Sequence, residues 1–158
     1  MNKIIIINGK NNIDNLTKEK KERILLKAEP KEISYNDQLN SLNLMDDSLR
    51  SKLNNKIYSY KQQDIKRNLY CKTKIITINE VIQKLKNCNL NCHYCSKEIK
   101  IIYRVVRDPL QWTLDRIDND NGHTNINTII SCLHCNLKRR RIKKEHFELL
   151  NQKIIKNN

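Results

Sequence analysis

Four of the six cysteines fall into two Cys-x-x-Cys pairs, Cys92/Cys95 and Cys132/Cys135. Each pair lets two thiolates reach one tetrahedral ion from a tight turn, and two such pairs in a short chain predict a structural Zn²⁺ site. Four thiolates fill the coordination sphere, so this zinc is expected to hold the fold and perform no chemistry. A disulfide framework or a redox dithiol fits less well, because the chain carries no secretory signal and no thioredoxin-like βαβ pattern. His93 and His134 lie inside the pairs and are expected to be exposed or to support the thiolates. Cys71 and Cys88 read as plain thiols. The 36 residues between Cys95 and Cys132 are too many for a simple ribbon, so a folded insert stands between the two halves of the site. That insert gathers carboxylates, a histidine and amides: Asp115, Asp118, Asp120, His123, Asn125 and Asn127, with Arg116 among them and Asn136 just past the last cysteine.

The elements that must position these groups can be read from periodicity. Trp112 to Ile117 alternates apolar and polar side chains as a strand does, Asn119-Asp120-Asn121-Gly122 is a strong turn signal, and Asn127 to Ser131 predicts a second short strand. From about Cys135 to Leu150, Leu137, Ile142, Phe147 and Leu150 predict one amphipathic basic helix. Upstream, Leu42, Met45, Leu49, Leu53, Ile57 and Tyr60 recur at spacings of three and four, predicting a helix capped by Asn36 or Asp37. Its other face carries Arg50, Lys52, Lys56 and Lys61 and is read as a solvated side. A phosphate-tracking role for Tyr58, Tyr60, Lys61, Gln62, Lys66 and Arg67 is the alternative. Thr77 to Glu80 forms a capping box opening a helix with Val81, Ile82 and Leu85 on one face. Ile99 to Val106 is rich in β-branched residues and is expected to be extended, ending at Pro109. The first 35 residues mix an Ile4 to Ile7 run with a charged Lys18 to Arg23 stretch and read as a weakly ordered arm.

Composition limits what these elements can be. The chain has 158 residues, a formal charge of +14, 38% hydrophobic and 5% aromatic residues, so its core is small. No apolar run approaches a membrane span, and a soluble, intracellular protein with no membrane partner is expected. Ile, Asn and Lys number 23, 23 and 22, all with A/T-rich codons, so the global lysine excess says little about a partner. The local cluster Lys138-Arg139-Arg140-Arg141-Ile142-Lys143-Lys144 says more, because three of its six cations are arginine. These six predict contacts to a nucleic-acid backbone, salt-dependent and largely independent of sequence.

The string Gln111-Trp112-Thr113-Leu114-Asp115-Arg116-Ile117-Asp118, the loop to Asn127 and the string Cys135-Asn136-Leu137-Lys138-Arg139-Arg140, bracketed by the cysteine pairs, resemble an HNH endonuclease of the ββα-metal, or His-Me finger, family. The likeness spans about Cys88 to Arg141, and these strings together with Tyr58 to Lys66, the Thr77/Glu80 box and the first cysteine pair are also similar to uncharacterised HNH proteins of large DNA viruses. It implies two strands and a helix pinching one divalent cation, and a location in the cytoplasm or nucleus of a host cell. Asp115 matches the family's metal-binding aspartate and Asn136 its second ligand, both suited to Mg²⁺ or Mn²⁺. Asn127 matches the asparagine whose amide braces the loop so that the base points at the scissile phosphate. Arg140, four residues past Asn136, shares its helical face and is placed to hold a phosphate at the metal.

The departure lies at the base. The family string is Asp-His, whereas Arg116 follows Asp115 here, and arginine accepts no proton at neutral pH. Three substitutes stand open: His123, with the better pKa; Asp118, with the registry of a related Asp-Arg-Gly-His branch; or a water activated by the metal alone. In that branch-like arrangement Arg116 becomes a phosphate or transition-state clamp.

The resulting expectation is an α+β chain: an arm over 1–35, a helical extension over 36–87, and a zinc-bound HNH-like domain over 88–158. The expected activity is metal-dependent hydrolysis of DNA phosphodiester bonds. The alternatives are a zinc-stabilised DNA-binding module that has lost its base, or a structural subunit of a nucleoprotein assembly. Oligomeric state does not follow from the residues.

Overall fold

The computed structural model describes residues 33–156, with side chains described to residue 150, and the Ile4 to Ile7 and Lys18 to Arg23 readings lie outside them. The described residues form an α+β chain of five helices and one two-stranded antiparallel sheet: α1 (Tyr35–Leu44), α2 (Asp47–Lys66), α3 (Ile78–Asn87), β1 (Trp112–Arg116), β2 (Thr128–Cys132), α4 (Leu133–Arg139) and α5 (Lys144–Lys156). None of these helices is long and apolar enough to cross a membrane.

The predicted N-terminal helix is two helices. Met45 adopts a left-handed conformation with φ 44°, ending α1, and the Asp46 side chain accepts from the Leu49 amide to cap α2. The cap of α1 is Ser34 rather than Asn36 or Asp37; its hydroxyl accepts from the Asp37 amide. Both caps give orphan amides an oxygen partner, which an apolar stripe alone cannot reveal. The Thr77/Glu80 capping box opens α3 as the spacing predicts.

Ile99 to Val106 contains no strand. Its backbone is satisfied piecemeal: Lys100 bridges Gln111, and the buried Gln38 of α1 accepts from the Ile101 and Ile102 amides and donates to the Ile102 carbonyl. A side-chain amide has replaced a neighbouring strand, so the β-branched composition finds no ladder to join.

The sheet pairs Trp112 with Cys132 and Asp115 with Ile129. The C-terminal basic helix is also interrupted, at Arg140 (φ 52°), so Arg140 lies past the end of α4 and not on the helical face of Asn136. One buried apolar cluster joins Leu42, Leu49 and Leu53 of the first two helices to Val81, Leu85, Leu90, Ile99, Trp112, Leu114 and Phe147. The helices before residue 88 and the zinc-type segment thus share a core, and α2 reaches β1 through the Tyr60 hydroxyl, which accepts from the Leu114 amide at 3.0 Å.

Candidate metal centre and active-site cavity

The four predicted cysteines converge. Their Sγ atoms all lie within 4.8 Å of one another, Cys95 and Cys132 being 3.9 Å apart, and Cys71 and Cys88 stay outside the group. Zn–S bonds of about 2.3 Å put tetrahedral sulfurs just under 4 Å apart, so the set fits a zinc ion or a similar thiophilic metal. The turn geometry that gathers them is local. Ser96 (φ 55°) returns its amide to the Cys92 carbonyl, the Cys132 amide donates to Cys92 Sγ, and Cys132 Sγ accepts from the Cys135 amide at the start of α4. Hydrogen bonds from the Cys132 and Cys135 thiols hold Cys92 far below the ordinary thiol pKa, and the contacts of Cys135 with Cys132 and then Cys92 push Cys135 up. His93 is exposed and bonds Glu148 through Nε2 at 2.6 Å, while His134 is exposed.

A second centre lies beside β1. A cavity of about 770 Å³ is lined by Asp115 and Arg116 of β1, His123 of the loop, Asn136 of α4, Arg67 just past α2, and Arg140 and Arg141. Asp115 is buried, and burial, the largest influence, raises its pKa against the pull of Tyr94 and Arg139. One carboxylate oxygen accepts from the Tyr94 hydroxyl at 2.6 Å and the other from Arg139 Nη1 at 3.0 Å. Asn136 donates its amide to Thr113 Oγ1 at 3.1 Å and to the Leu114 carbonyl at 3.4 Å, which turns its oxygen away from the sheet.

Whether this pair suits a hard divalent cation is a question of free lone pairs. A carboxylate presents about four acceptor directions, and Tyr94 and Arg139 take two, so Asp115 retains capacity beside the Asn136 carbonyl. Among the described residues the cysteines are the one group of three or more His, Cys, Asp or Glu ligand atoms. A cation at Asp115 must therefore draw the rest of its shell from water and substrate oxygens, which is how Mg²⁺ is commonly held. The donor set fits on those terms.

His123 is almost fully buried and its ring is locked. Nδ1 lies 2.7 Å from Asp64 Oδ1, the His123 backbone amide donates to Asp64 Oδ2 at 2.7 Å, and the ring packs 4.7 Å from that of Tyr60. Burial, the first cause, lowers the imidazole pKa below its ordinary value although Asp64 pulls it up. The His123 carbonyl accepts from the Ile76 amide, tying the loop to the segment before α3. Gly122 is required here, because a Cβ would sit 2.5 Å from the Leu69 carbonyl and 3.0 Å from Asp64 Oδ2.

The other predicted residues divide. Asp118 is exposed, outside the cavity lining, and organises the turn: it accepts from the Asp120 amide and the Asn121 side chain, contacts that hold its carboxyl below the usual range. Asn127 spans the loop, accepting from the Asp118 amide and donating to the Asp118 and Gly122 carbonyls. Arg116 lines the cavity while Nη1 donates to the Asn121 carbonyl and stands 4.0 Å from Asp64. Arg139 does not face solvent and cannot contact a nucleic acid. It is fully buried, and its guanidinium holds Asp115 and the Arg116 and Ile117 carbonyls. Lys138 and Lys143 are exposed, Arg141 is exposed and 3.4 Å from Asp120, and Lys144 pairs with Glu148 at 3.5 Å.

Two residues at this centre escape a motif reading. Asp64 is 59 positions from His123, and Tyr94 lies within the first cysteine pair, 21 positions from Asp115. Asp64 did leave a trace: it continues the stripe of Leu49, Leu53, Ile57 and Tyr60 by one turn, a carboxylate on a core-facing helix side. No protein-family model matches the chain, and no curated protein or solved structure matches it.

Proposed function

We propose that the chain is an HNH-type endonuclease: a ββα-metal finger, stabilised by a structural zinc, that hydrolyses DNA phosphodiester bonds with the aid of Mg²⁺ or Mn²⁺. The observation that carries this reading is the convergence on one cavity of Asp115, Asn136 and a His123 oriented by the buried Asp64, ringed by four arginines.

Each residue takes a role that its surroundings suit. With Nδ1–H donating to Asp64, His123 keeps Nε2 as its proton acceptor, and its lowered pKa leaves the ring neutral near pH 7. A neutral imidazole takes a proton from water as the water oxygen forms its bond to phosphorus and the P–O3′ bond breaks. Asp64 holds the ring's tautomer and stabilises the imidazolium that forms. Asp118, by contrast, has a depressed pKa and is engaged in its turn, which makes it the weaker base. Asp115 and Asn136 would hold the divalent cation, whose charge stabilises the phosphate oxygens as negative charge develops. Arg67, Arg140 and Arg141 bind and orient the phosphate. DNA rather than RNA rests on the family resemblance.

One observation favours a second reading, a DNA-binding module without turnover: both Asp115 oxygens already have protein partners. Incubating the purified chain with plasmid and Mg²⁺ or Mn²⁺, beside Asp115→Ala, separates the two. Nicking that Asp115→Ala abolishes is the expected outcome. Binding without nicking favours the module, and nicking that persists in Asp115→Ala removes the nuclease reading.

A further inference from the structure

A second cavity, of about 550 Å³, adjoins the arginine-lined one, and the two share Tyr60 and Gln63 of α2 as a common wall. Its character differs. Ile101, Ile102, Tyr103 and Trp112 form an apolar and aromatic side, while Asn55 and Gln63 offer side-chain amides at the rim. Its volume lies within the range of small-ligand cavities, about 300–1,000 Å³. Lys56 reaches into it from α2, its Nζ 4.5 Å from the Trp112 ring centre and 5.2 Å from that of Tyr103, with the Gln111 side chain 3.2 Å away and the Trp112 carbonyl also accepting.

Resting on the nuclease reading of the neighbouring cavity, we infer that this pocket receives one unstacked nucleobase of the strand whose phosphate lies at the arginines. Three features argue for that occupant. The half-buried Ile102 and Tyr103 suit a base face, with Lys56 held over the buried Trp112 behind them, and the rim amides of Asn55 and Gln63 suit the donors and acceptors of a base edge. The shared Tyr60 and Gln63 make the pocket continuous with the phosphate cavity, so one nucleotide chain can occupy both. A base still paired in a duplex is stacked on both faces and cannot enter, so the substrate class is single-stranded or splayed DNA: loops, flaps, ends or mismatched sites. Lys52 at the mouth adds a cation for the adjoining phosphate.

Trp112 is the sole tryptophan of the chain, so its fluorescence reports the pocket directly. The full-length, zinc-retaining protein is titrated with short single-stranded DNA and with a fully abasic strand of equal length, in buffer without Mg²⁺ or Mn²⁺. The base-bearing strand is expected to bind about 10-fold more tightly and to change Trp112 emission, as contact between one base and an aromatic wall permits. Ser59→Phe, from an exposed position lining the pocket, should remove that advantage and leave abasic-strand affinity unchanged. Equal affinity for both strands with unchanged Trp112 emission overturns the assignment. Base-dependent affinity in a protein that cuts nothing leaves the pocket standing and removes only the nuclease reading.

Discussion

The cysteine cluster and the arginine-lined cavity are built by opposite means. The cysteine cluster uses four like ligands delivered by two tight turns, each pair three residues apart, and its sulfurs close around a point. The cavity beside β1 uses unlike groups from α2, β1, the loop and α4, and it stays open. A closed set of soft ligands suits a part that holds the chain together, while an open and mixed set keeps room for a substrate. On the proposed reading the first centre bears on stability and the second on chemistry, and that division can be broken experimentally.

The largest effect belongs to the cysteines. Structural zinc contributes about 10–16 kcal/mol in small zinc domains. Chelation or Cys132→Ser should therefore abolish the cooperative thermal transition of the whole chain, since the core is shared with the first helices. Uptake must displace thiol protons, so metal affinity measured by competition should fall as pH falls. A chain that melts unchanged without metal breaks the division at its root.

Next comes Arg139, which the charge pattern assigned to DNA and the fold assigns to Asp115. Arg139→Met strands a buried carboxylate, and losing one partner of such a pair costs about 3–5 kcal/mol. Denaturant unfolding should show that loss, whereas Arg141→Ala should leave the unfolding midpoint in place.

Asp64→Asn probes the open centre alone. The amide keeps the shape but no longer fixes the imidazole tautomer, and cleavage should slow about 10²- to 10⁴-fold, the usual span for positioned acid–base groups. The zinc content and the thermal transition should change little. The smallest effect is that of Arg141→Ala on DNA affinity, which should lower the slope of log K against log salt by about one.

What was legible in the chain follows the same division. Cys-x-x-Cys pairs, the Thr77/Glu80 box and the alternation from Trp112 are local signals, because the groups that make each contact are a few residues apart. Asp64 and Tyr94 are not: their partners lie 59 and 21 residues away, and nothing in a helix stripe says which loop will cover its end. Arg139 shows why a charge run misleads. Six cations in seven residues look alike until the break at Arg140 turns one inward and leaves its neighbours outside. The helix breaks at Met45 and Arg140 were hidden for a related reason, since left-handed residues there are neither glycine nor asparagine.

The central claim is that His123, held by Asp64, accepts the proton of the attacking water. Single-turnover DNA cleavage measured across pH tests it most directly. A base must be unprotonated to act, so the rate should rise with pH to a plateau, with the midpoint of the rise below the ordinary imidazole value of 6.5, because burial lowers the His123 pKa. His123→Ala should remove both the plateau and most of the rate. Cleavage by His123→Ala at the wild-type rate, with the same pH profile, would contradict the account.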